Sequence, residues 1–183
     1  MNPLTRRRLI VAAALLPAGG VMARVAPPPE VAAELPEARA QGQGQLRFFG
    51  LRVYDIRLWA GDGALAANWP ALPLALEIEY ARELQGAAIA ERSLKEMRRQ
   101  AEITADAGAR WLDAMTRIFP DVRAGDRITG VHRPGTSARF FVNGRLQGEL
   151  LDAEFARLFF GIWLSPRTSE PALREALLGS GSR

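Results

Sequence analysis

The sequence predicts an α+β domain in which a layer of helices covers an antiparallel β-sheet. Segments with strand-like alternation come first, two segments with helical periodicity follow, and then strands and helices return. An Asn143-Gly144 pair joins two apolar strand segments, and this pair is typical of tight antiparallel hairpins. Because strands and helices are grouped rather than strictly alternating, the order favours an antiparallel sheet over a parallel α/β sheet.

Two segments predict the first strands of this sheet. Residues 46–59 are apolar and aromatic and predict one strand with a bend at Gly50. Both of its sides mix apolar and polar residues, so protein is expected to cover each face. Residues 72–80 alternate more cleanly, with Glu77 and Glu79 on one side, which predicts one face in water. At period two, the first segment places Leu51, Val53, Asp55, Arg57 and Trp59 on one side, and Phe48, Arg52, Tyr54, Ile56 and Leu58 on the other.

Two amphipathic helices are predicted next. Apolar residues recur at helical spacing over residues 87–100, and the charged residues between them are expected to face solvent. A second helix is predicted over residues 106–119, with Trp111 and Met115 on a core-facing stripe, and Pro120 ends it. The charged residues expected in solvent are Arg92, Lys95, Glu96, Arg98 and Arg99.

Three strands and two helices complete the chain. The strands are predicted at residues 127–133, 138–142 and 146–150, with the Asn143-Gly144 turn between the last two. Asp152 is predicted to cap a helix that runs through Trp163, because its carboxylate can accept the free N–H groups of the first turn. The last helix is predicted to have Ser169 as its cap, Pro171 in its first turn and Gly179 just past its end.

The N-terminal residues have the pattern of a bacterial export signal. In residues 1–23, three arginines precede a short apolar stretch and small residues, and that stretch is shorter than the about 20 residues that span a bilayer. The arginines fit both the general secretion route and the twin-arginine route. We therefore expect a periplasmic or otherwise exported protein without stable membrane insertion after signal removal. Residues 24–41 predict a Pro/Ala-rich leader arm, with a strand near residues 31–35, and residues 42–183 predict the folded domain.

Composition excludes several kinds of site. The chain has no Cys, so disulfides, thiolate metal sites and thiol catalysis are excluded, and His132 is its one histidine. A Ser-His-Asp triad would need His132 and the nearby Ser137, and nothing in the pattern sets that geometry. The net charge of +4 comes without a basic stripe outside the signal, so nucleic-acid binding is not expected. No metal or cofactor is expected.

Asp55 and Arg57 lie two residues apart on one side of the predicted strand, with Arg47 and Tyr54 close by. Two interpretations are open. The favoured one is an ion pair beside a tyrosine whose hydroxyl reaches solvent. The alternative is an apolar pocket that offers a guanidinium and a phenol to an anionic or carbonyl ligand, because an arginine can bind a carboxylate through two hydrogen bonds.

Several motifs, in this order, resemble the chalcone isomerase-like family, and the resemblance spans about residues 42–179. Residues 46–59 are similar to its Gly-hydrophobic-Val-Tyr strand, and residues 80–86 to the step that precedes its active-site helix. Phe-Pro-Asp at residues 119–121, the helix ending in Phe-Gly-Ile-Trp-Leu at 160–164 and the Ser-Pro-x-Thr-Ser-x-Pro tail from Ser165 resemble its C-terminal half. The match is nearest to bacterial exported members.

The resemblance implies an open-faced β-sandwich with a ligand cleft between sheet and helices. Plant enzymes of the family close a flavanone ring without a cofactor, and fatty-acid-binding relatives hold a carboxylate with an arginine and a tyrosine. The catalytic tyrosine, lysine and asparagine fall here at Ile89, Arg92 and Glu96, and the strand threonine falls at Phe49. Losing a phenol and a hydroxyl removes hydrogen bonds expected to orient water and substrate.

The leading hypothesis is therefore an exported, non-catalytic binder of a small amphipathic molecule, either a fatty acid or an aromatic acid. Arg47 and Tyr54 would hold its polar end. The alternatives are a cofactor-free intramolecular lyase or isomerase of chalcone type, and an envelope scaffold whose cleft is filled by its own side chains. The predicted ligand-binding residues are Arg47, Phe49, Tyr54, Ile89 and Arg92, and the candidate wall residues are Phe48, Phe49, Leu51 and Trp59.

Overall fold

Six strands form one antiparallel sheet in which each strand pairs with its neighbours in sequence. The computed structural model describes residues 25–63 and 65–179, and this range also contains six α-helices and one short 3-10 turn. The arrangement confirms the predicted α+β fold. The strands are β1 (Arg39–Phe48), β2 (Leu51–Ala60), β3 (Leu74–Tyr80), β4 (Arg127–Arg133), β5 (Ser137–Val142) and β6 (Arg145–Leu150). The helices are α1 (Pro29–Glu34), α2 (Leu65–Asn68), α3 (Gly86–Met97), α4 (Ala105–Ile118), α5 (Ala153–Leu164) and α6 (Pro171–Leu177), and the 3-10 turn is Trp69–Ala71.

The main core lies between the sheet and helices α3 to α6, and we call this side of the sheet the helical face. Alternate residues of the central strands point into it, including Ile56, Leu76 and Phe140. Helix α5 supplies Phe155 and Phe160, both fully buried. Helix α6 crosses β1 closely because Gly42 has no side chain, and a Cβ there would collide with the backbone of α6. The strand alternation read from the sequence therefore identifies the buried side.

Helix α1 packs on the opposite side of the sheet, which we call the α1 face. Val31 is fully buried there in a small cluster with Trp59 and Phe141. The expected leader arm is therefore wrong for this segment, because residues 29–34 are helical and belong to the packed fold. The strand expected near residues 31–35 is wrong for the same reason. The predicted export signal, residues 1–23, lies outside the described residues.

Two tight hairpins set the register of the sheet. Asn143 and Gly144 both have positive φ, at 49° and 82°, which confirms the predicted turn between β5 and β6. Phe49 and Gly50 have the same backbone form, at 48° and 79°, so residues 46–59 are two paired strands and not one bent strand. A bulky residue at positive φ is uncommon, which is why the residue types alone did not predict this turn.

Helix ends agree with most of the predicted caps. The Asp152 carboxylate accepts the N–H of Phe155 at 2.9 Å, as expected for the start of α5. Gly179 has a φ of 73° just past α6. The predicted Ser169 cap is wrong, because Glu170 is the N-terminal boundary residue of α6 and no side chain caps it. Within the described residues, no helix combines the length and apolar character needed to cross a bilayer.

Candidate ligand-binding site

A cavity of about 310 Å³ lies between the helical face and helices α3 and α5. Its volume is at the lower end of the about 300–1,000 Å³ usual for small-molecule sites. Side chains of the two layers do not fill this space. The apolar walls include Ile78, Ile128, Phe119, Phe159 and Ile162.

Strands β2 and β3 supply two tyrosines to the cavity. Tyr54 and Tyr80 are paired directly across the two strands, and their rings meet edge to face with centroids 6.1 Å apart. Burial raises the pKa of both hydroxyls far above the ordinary tyrosine value. Both phenols are therefore protonated at neutral pH and can donate a hydrogen bond.

The Tyr54 hydroxyl keeps its proton available for a ligand. Its oxygen accepts a hydrogen bond from the Trp163 indole nitrogen at 2.9 Å, which fixes the ring. Within the described part of the chain, neither the Tyr54 nor the Tyr80 hydroxyl donates to a protein acceptor. Two oriented donors thus lie in a largely apolar space, which is the usual composition of a ligand pocket.

Helix α3 contributes the other polar wall. Ile89, Arg92, Ser93 and Glu96 all line the cavity, at the i, i+3, i+4 and i+7 spacing of a single helix face. The start of α3 is fixed against the segment after α4, where the Gly86 N–H donates to the Asp121 carboxylate at 2.9 Å. This contact orients the whole helix face toward the sheet.

Glu96 is a buried carboxylate with unused hydrogen-bonding capacity. Its Oε1 forms an ion pair with the Arg92 guanidinium at 2.8 Å, while Oε2 lies 3.5 Å from Arg99 and has no hydrogen-bond partner among the described residues. The side chain is only 8% exposed, so the prediction that it faces solvent is wrong. A buried carboxylate oxygen without a partner is costly unless a ligand or water reaches it.

The rim of the cavity is charged and partly aromatic. Arg47, Phe48, Arg82, Arg92 and Glu170 line it and are all exposed. The Arg47 guanidinium donates to the Gly50 carbonyl at 3.2 Å and to the Gln45 side chain at 3.1 Å. It is therefore held at the mouth, not in the interior.

Four of the five predicted site residues meet at this cavity, namely Arg47, Tyr54, Ile89 and Arg92. Phe49 does not: it is 90% exposed at the tip of the β1–β2 turn. Their role in binding a ligand stays a prediction. Of the other candidate wall residues, Phe48 lines the cavity, whereas Leu51 is exposed and Trp59 faces the α1 face.

Tyr80 and Trp163 are cavity residues that the sequence did not predict, and Glu96, which the family resemblance placed at the asparagine position, was expected in solvent and left out of the predicted site. The strand alternation that places Tyr54 inward places Tyr80 inward as well, and Glu96 lies one and two helical turns from Arg92 and Ile89. These periodicities were the available signal. The contact between Trp163 and Tyr54 joins residues far apart in the chain, so no local pattern predicts it.

The α1 face carries a second, polar groove of about 390 Å³. Arg57 there donates to the Gln43 side chain at 3.0 Å and lies 3.6 Å from the Glu77 carboxylate, while Asp55 pairs with Arg52. The predicted pair between Asp55 and Arg57 is therefore replaced by two other pairs. Because most of the residues that line this groove are charged or carry an amide, the groove is the weaker candidate for an amphipathic ligand.

His132 does not form a catalytic triad with Ser137. His132 is buried on the helical face, with Nδ1 3.1 Å from the Leu72 carbonyl. Ser137 donates to Glu149 on the other face. The described residues also contain no group of three or more acidic or histidine side chains arranged for a metal ion.

A sequence model described as chalcone isomerase-like matches residues 24–179. The chain belongs to the chalcone isomerase-like family. The match begins before α1, so the family region includes the whole segment that was expected to be a leader arm, residues 24–41. Within this chalcone isomerase-like domain, the helix positions that resemble the plant catalytic residues are Ile89, Arg92 and Glu96, and all three line the cavity.

Two known proteins are similar to this chain. An uncharacterized protein of Haemophilus influenzae is 28% identical over 138 residues, which cover 75% of this chain and 66% of that protein. The chain thus spans just under two thirds of that relative. The crystal structure of a fatty-acid binding protein from Arabidopsis thaliana matches with a TM-score of 0.63 at 13% identity, over 79% of this chain and 88% of the other. At that identity, the likeness shows the chalcone isomerase-like fold.

Proposed function

We propose that this protein binds a small amphipathic acid, with an acyl or aromatic body, in the cavity between the helical face and helices α3 and α5, and releases it unchanged. The main support for this proposal is an unfilled apolar cavity that contains a few polar groups unpaired among the described residues, namely the Tyr54 and Tyr80 hydroxyl protons and Glu96 Oε2. This is the usual composition of a small-molecule site. The fatty-acid binding protein with a similar fold makes an acyl ligand a reasonable first choice.

The ligand's apolar body would lie against Ile78, Ile128 and Phe159, away from water. Its acidic end would lie toward Tyr54 and Arg92, with Arg47 at the mouth. The Arg92 charge is close enough to Tyr54 to lower the pKa of that hydroxyl against the dominant effect of burial. A carboxylate between them would accept a phenol hydrogen bond and a charge-assisted one, and the latter kind is the stronger.

The same residues argue against turnover. Ile89 has no group that can orient a water or polarise a carbonyl, although it occupies the position at which the plant enzymes have a tyrosine. Tyr54, with its raised pKa, is not a base at neutral pH. The isomerase alternative and the scaffold alternative therefore become outcomes of the experiment.

The test uses the full-length chain expressed in a bacterial host. Native mass spectrometry of the purified protein should find a carried acid. After its removal, calorimetric titration with decanoate, hexadecanoate and cinnamate should give saturable binding of at least one acid. Arg92→Ala should weaken carboxylate binding about tenfold or more, because hydrogen bonds to charged groups contribute roughly 1.5–3 kcal/mol. Ile89→Trp should abolish binding by filling the cavity.

The matched control for Arg92→Ala is Arg117→Ala. Arg117 also pairs with an acidic residue four positions away on an exposed helix surface, but it lies on α4 and does not line the cavity. Loss of an i,i+4 ion pair alone should leave acid binding unchanged. Absence of binding to any acid would favour the scaffold, and consumption of a chalcone that Arg47→Ala removes would favour the isomerase.

Export is part of the same proposal. Residues 1–23 have the composition of a secretion signal, so the processed protein is expected in the periplasmic fraction. Replacing Arg6 and Arg7 by lysines separates the two routes, because only twin-arginine export requires that pair. Retention of the full-length chain in the cytoplasm, with its natural arginines, would contradict the expected location.

A further inference from the structure

The tip of the β1–β2 hairpin exposes a cluster of large apolar side chains. Phe48, Phe49 and Leu51 are 59%, 90% and 60% exposed. The two phenyl rings meet edge to face with centroids 4.5 Å apart. They therefore form one continuous apolar projection at the end of the sheet, and we call Phe48, Phe49 and Leu51 the hairpin tip.

Fold stability does not explain this composition. Phe49 occupies a left-handed backbone position, with φ of 48°, where Asn or Gly is favoured and a bulky side chain is disfavoured. The other tight hairpin of the sheet has Asn143 at its corresponding position. The backbone of Phe49 is therefore strained and its side chain is almost fully exposed, so apolar burial does not offset the strain. An exposed apolar projection of this kind is typical of a contact surface.

Arginines surround the hairpin tip. Arg47 and Arg52 flank it in sequence, and Arg82 lies in the loop after β3, near the beginning of β2. Arg52 pairs with Asp55, whereas the Arg47 guanidinium contacts only neutral oxygens of its own hairpin. Phenylalanine and leucine side chains with nearby arginines are the composition of protein segments that lie at the interface between bilayer and water.

The hairpin tip is continuous with the mouth of the cavity. Arg47 and Phe48 belong both to the tip region and to the cavity rim, and Arg82 lies on the same rim. A surface that contacts the tip would therefore also face the cavity opening. An amphipathic acid that partitions into membranes would reach the cavity there without crossing water.

We propose that the hairpin tip inserts into the headgroup region of an anionic lipid bilayer and holds the cavity mouth against the membrane. Phe49 and Leu51 would enter the boundary of the acyl chains, while Arg47 and Arg82 would contact lipid phosphates. The proposed membrane docking depends only on the exposed residues of the hairpin tip and its arginines. The passage of an acid between membrane and cavity rests on the proposed function.

The geometry favours a membrane over a protein partner. The tip is convex and consists of only three side chains, which offer less than the about 800 Å² per partner of a stable protein interface. A bilayer needs no complementary groove, and interfacial segments enter it by only about 5–10 Å. Three apolar side chains at the end of a hairpin match that depth.

The experiment measures flotation of the purified full chain with phosphatidylcholine vesicles, with and without added phosphatidylglycerol. The test variant is Phe49→Asn/Leu51→Ser. Neither residue lines the cavity, and Phe49→Asn gives this turn the sequence of the β5–β6 turn, so the fold should be retained. We expect binding to phosphatidylglycerol vesicles, and a loss of about tenfold or more in the variant, because each side chain removes substantial apolar surface.

The matched control is Leu146→Ser/Leu151→Ser. These leucines are 49% and 77% exposed at the other edge of the sheet, away from the cavity. The control should bind vesicles like the wild type. Equal losses in both double variants, or none in the tip variant, would overturn the proposal. Tip-dependent dimerisation of a protein that ignores vesicles would also overturn it and would identify the tip as a protein interface.

A second measurement separates docking from ligand binding. Decanoate titrated in buffer without vesicles should bind the tip variant and the wild type equally. Transfer of a fluorescent fatty acid from vesicles should be at least tenfold slower for the tip variant. Vesicle flotation without binding of any acid would reject the proposed function and leave docking supported. Acid binding without vesicle flotation would support the proposed function and reject the membrane docking.

Discussion

The two faces of the sheet are built by the same strands, yet they use polar residues in different ways. On the α1 face, charged side chains pair with one another: Glu30 contacts Arg127, and Glu34 contacts Arg133 and Arg139. Three buried atoms of that face, Glu30 Oε2, Asp55 Oδ1 and Arg139 Nε, have no hydrogen-bond partner among the described residues, but each belongs to a side chain that forms an ion pair through another atom. On the helical face, the Tyr54 hydroxyl proton and Glu96 Oε2 are unused beside an apolar cavity. The polar residues of the α1 face therefore hold the N-terminal helix, whereas those of the helical face line the cavity that we propose as the ligand site.

The two faces also differ in how many large apolar side chains they bury. The core on the helical face contains most of the buried aromatic rings, which contact one another across β5 and α5. The cluster on the α1 face is small and includes only Val31, Ala38, Trp59, Ala75, Val131 and Phe141. Stability should therefore depend mainly on the helical face.

Phe140 and Phe141 provide the sharpest test, because they are neighbours on β5 that point to opposite faces. Phe140 is fully buried, with ring centroids 5.1 and 5.0 Å from those of Phe119 and Phe159. Phe140→Ala should lower the free energy of unfolding by about 3–5 kcal/mol. Phe141→Ala should lower it by only about 1.5–3 kcal/mol, because its ring lies in the small cluster beside Arg139.

Urea denaturation of both variants gives the two values. The two changes delete the same atoms from adjacent positions on one strand, so each variant controls for the other. Equal losses would mean that the two clusters contribute equally and would remove the distinction between the faces. Phe141→Ala should also leave acid binding intact.

Glu30 tests whether the ion pairs of the α1 face are structural. Its Oε1 accepts from Arg127 and from the Thr129 hydroxyl, each at 2.8 Å, in a side chain that is 1% exposed. Glu30→Gln should lower the free energy of unfolding by roughly 1.5–3 kcal/mol, because the Arg127 guanidinium loses its charged partner and both hydrogen bonds are then made to a neutral, weaker acceptor. Hydrogen exchange of the α1 amides should rise, while acid affinity should not change.

The control for this change is Glu37→Gln in the exposed turn after α1. Its expected effect on stability is within about 0.5 kcal/mol, as for most surface substitutions. If Glu30→Gln changed acid affinity, the two faces would be energetically coupled, and the α1 face could not be described as purely structural.

His132 gives the helical face a pH dependence. Burial lowers the pKa of its imidazole, and the bond to the Leu72 carbonyl opposes that shift only in part. The unfolded chain therefore binds a proton more readily than the folded one, so stability is complete above about pH 6.5 and falls as the pH drops below that value. Each unit of pKa depression corresponds to about 1.4 kcal/mol.

Guanidinium denaturation at pH 8 and pH 5 measures this loss. His132→Gln should be less stable at pH 8 but should lose less stability between pH 8 and pH 5 than the wild type. An identical pH dependence in the variant would mean that carboxylates, not this buried imidazole, control acid sensitivity.

Most of the fold could be predicted from the sequence because its information is local. Alternation placed Tyr54 on the same side of its strand as Ile56 and Leu58, and the Asn143-Gly144 pair identified the β5–β6 turn. The β1–β2 turn was not predicted because its left-handed position is occupied by Phe49, a residue typical of strands, within an apolar segment. Helix α1 was missed because its stability comes from Arg127 and Arg139, about a hundred residues away.

The candidate site could be predicted in part for the same reason. Ile89 and Arg92 follow from the helical period of α3, and that period also includes Glu96. Charge suggested that Glu96 faces water, but Arg92 and Arg99 allow its burial. The depth of the cavity depends on how α5 packs against β2, through contacts such as Trp163 to Tyr54, which no segment encodes by itself.

The smallest effect concerns the charge of Glu96 inside the cavity. Glu96→Gln removes a negative charge beside the proposed position of the ligand carboxylate and frees Arg92 from its ion pair. Decanoate should therefore bind about three- to tenfold more tightly, a change of roughly 1 kcal/mol. Decanol should gain little or bind more weakly, because the Glu96 carboxylate is the better acceptor for a ligand hydroxyl. The control is Glu91→Gln, on the exposed side of the same helix, which should change neither affinity. Weaker binding of decanoate to Glu96→Gln would mean that the Glu96 carboxylate positions Arg92 for the ligand. Glu96 would then have a structural role, and its unpaired oxygen would not repel the ligand.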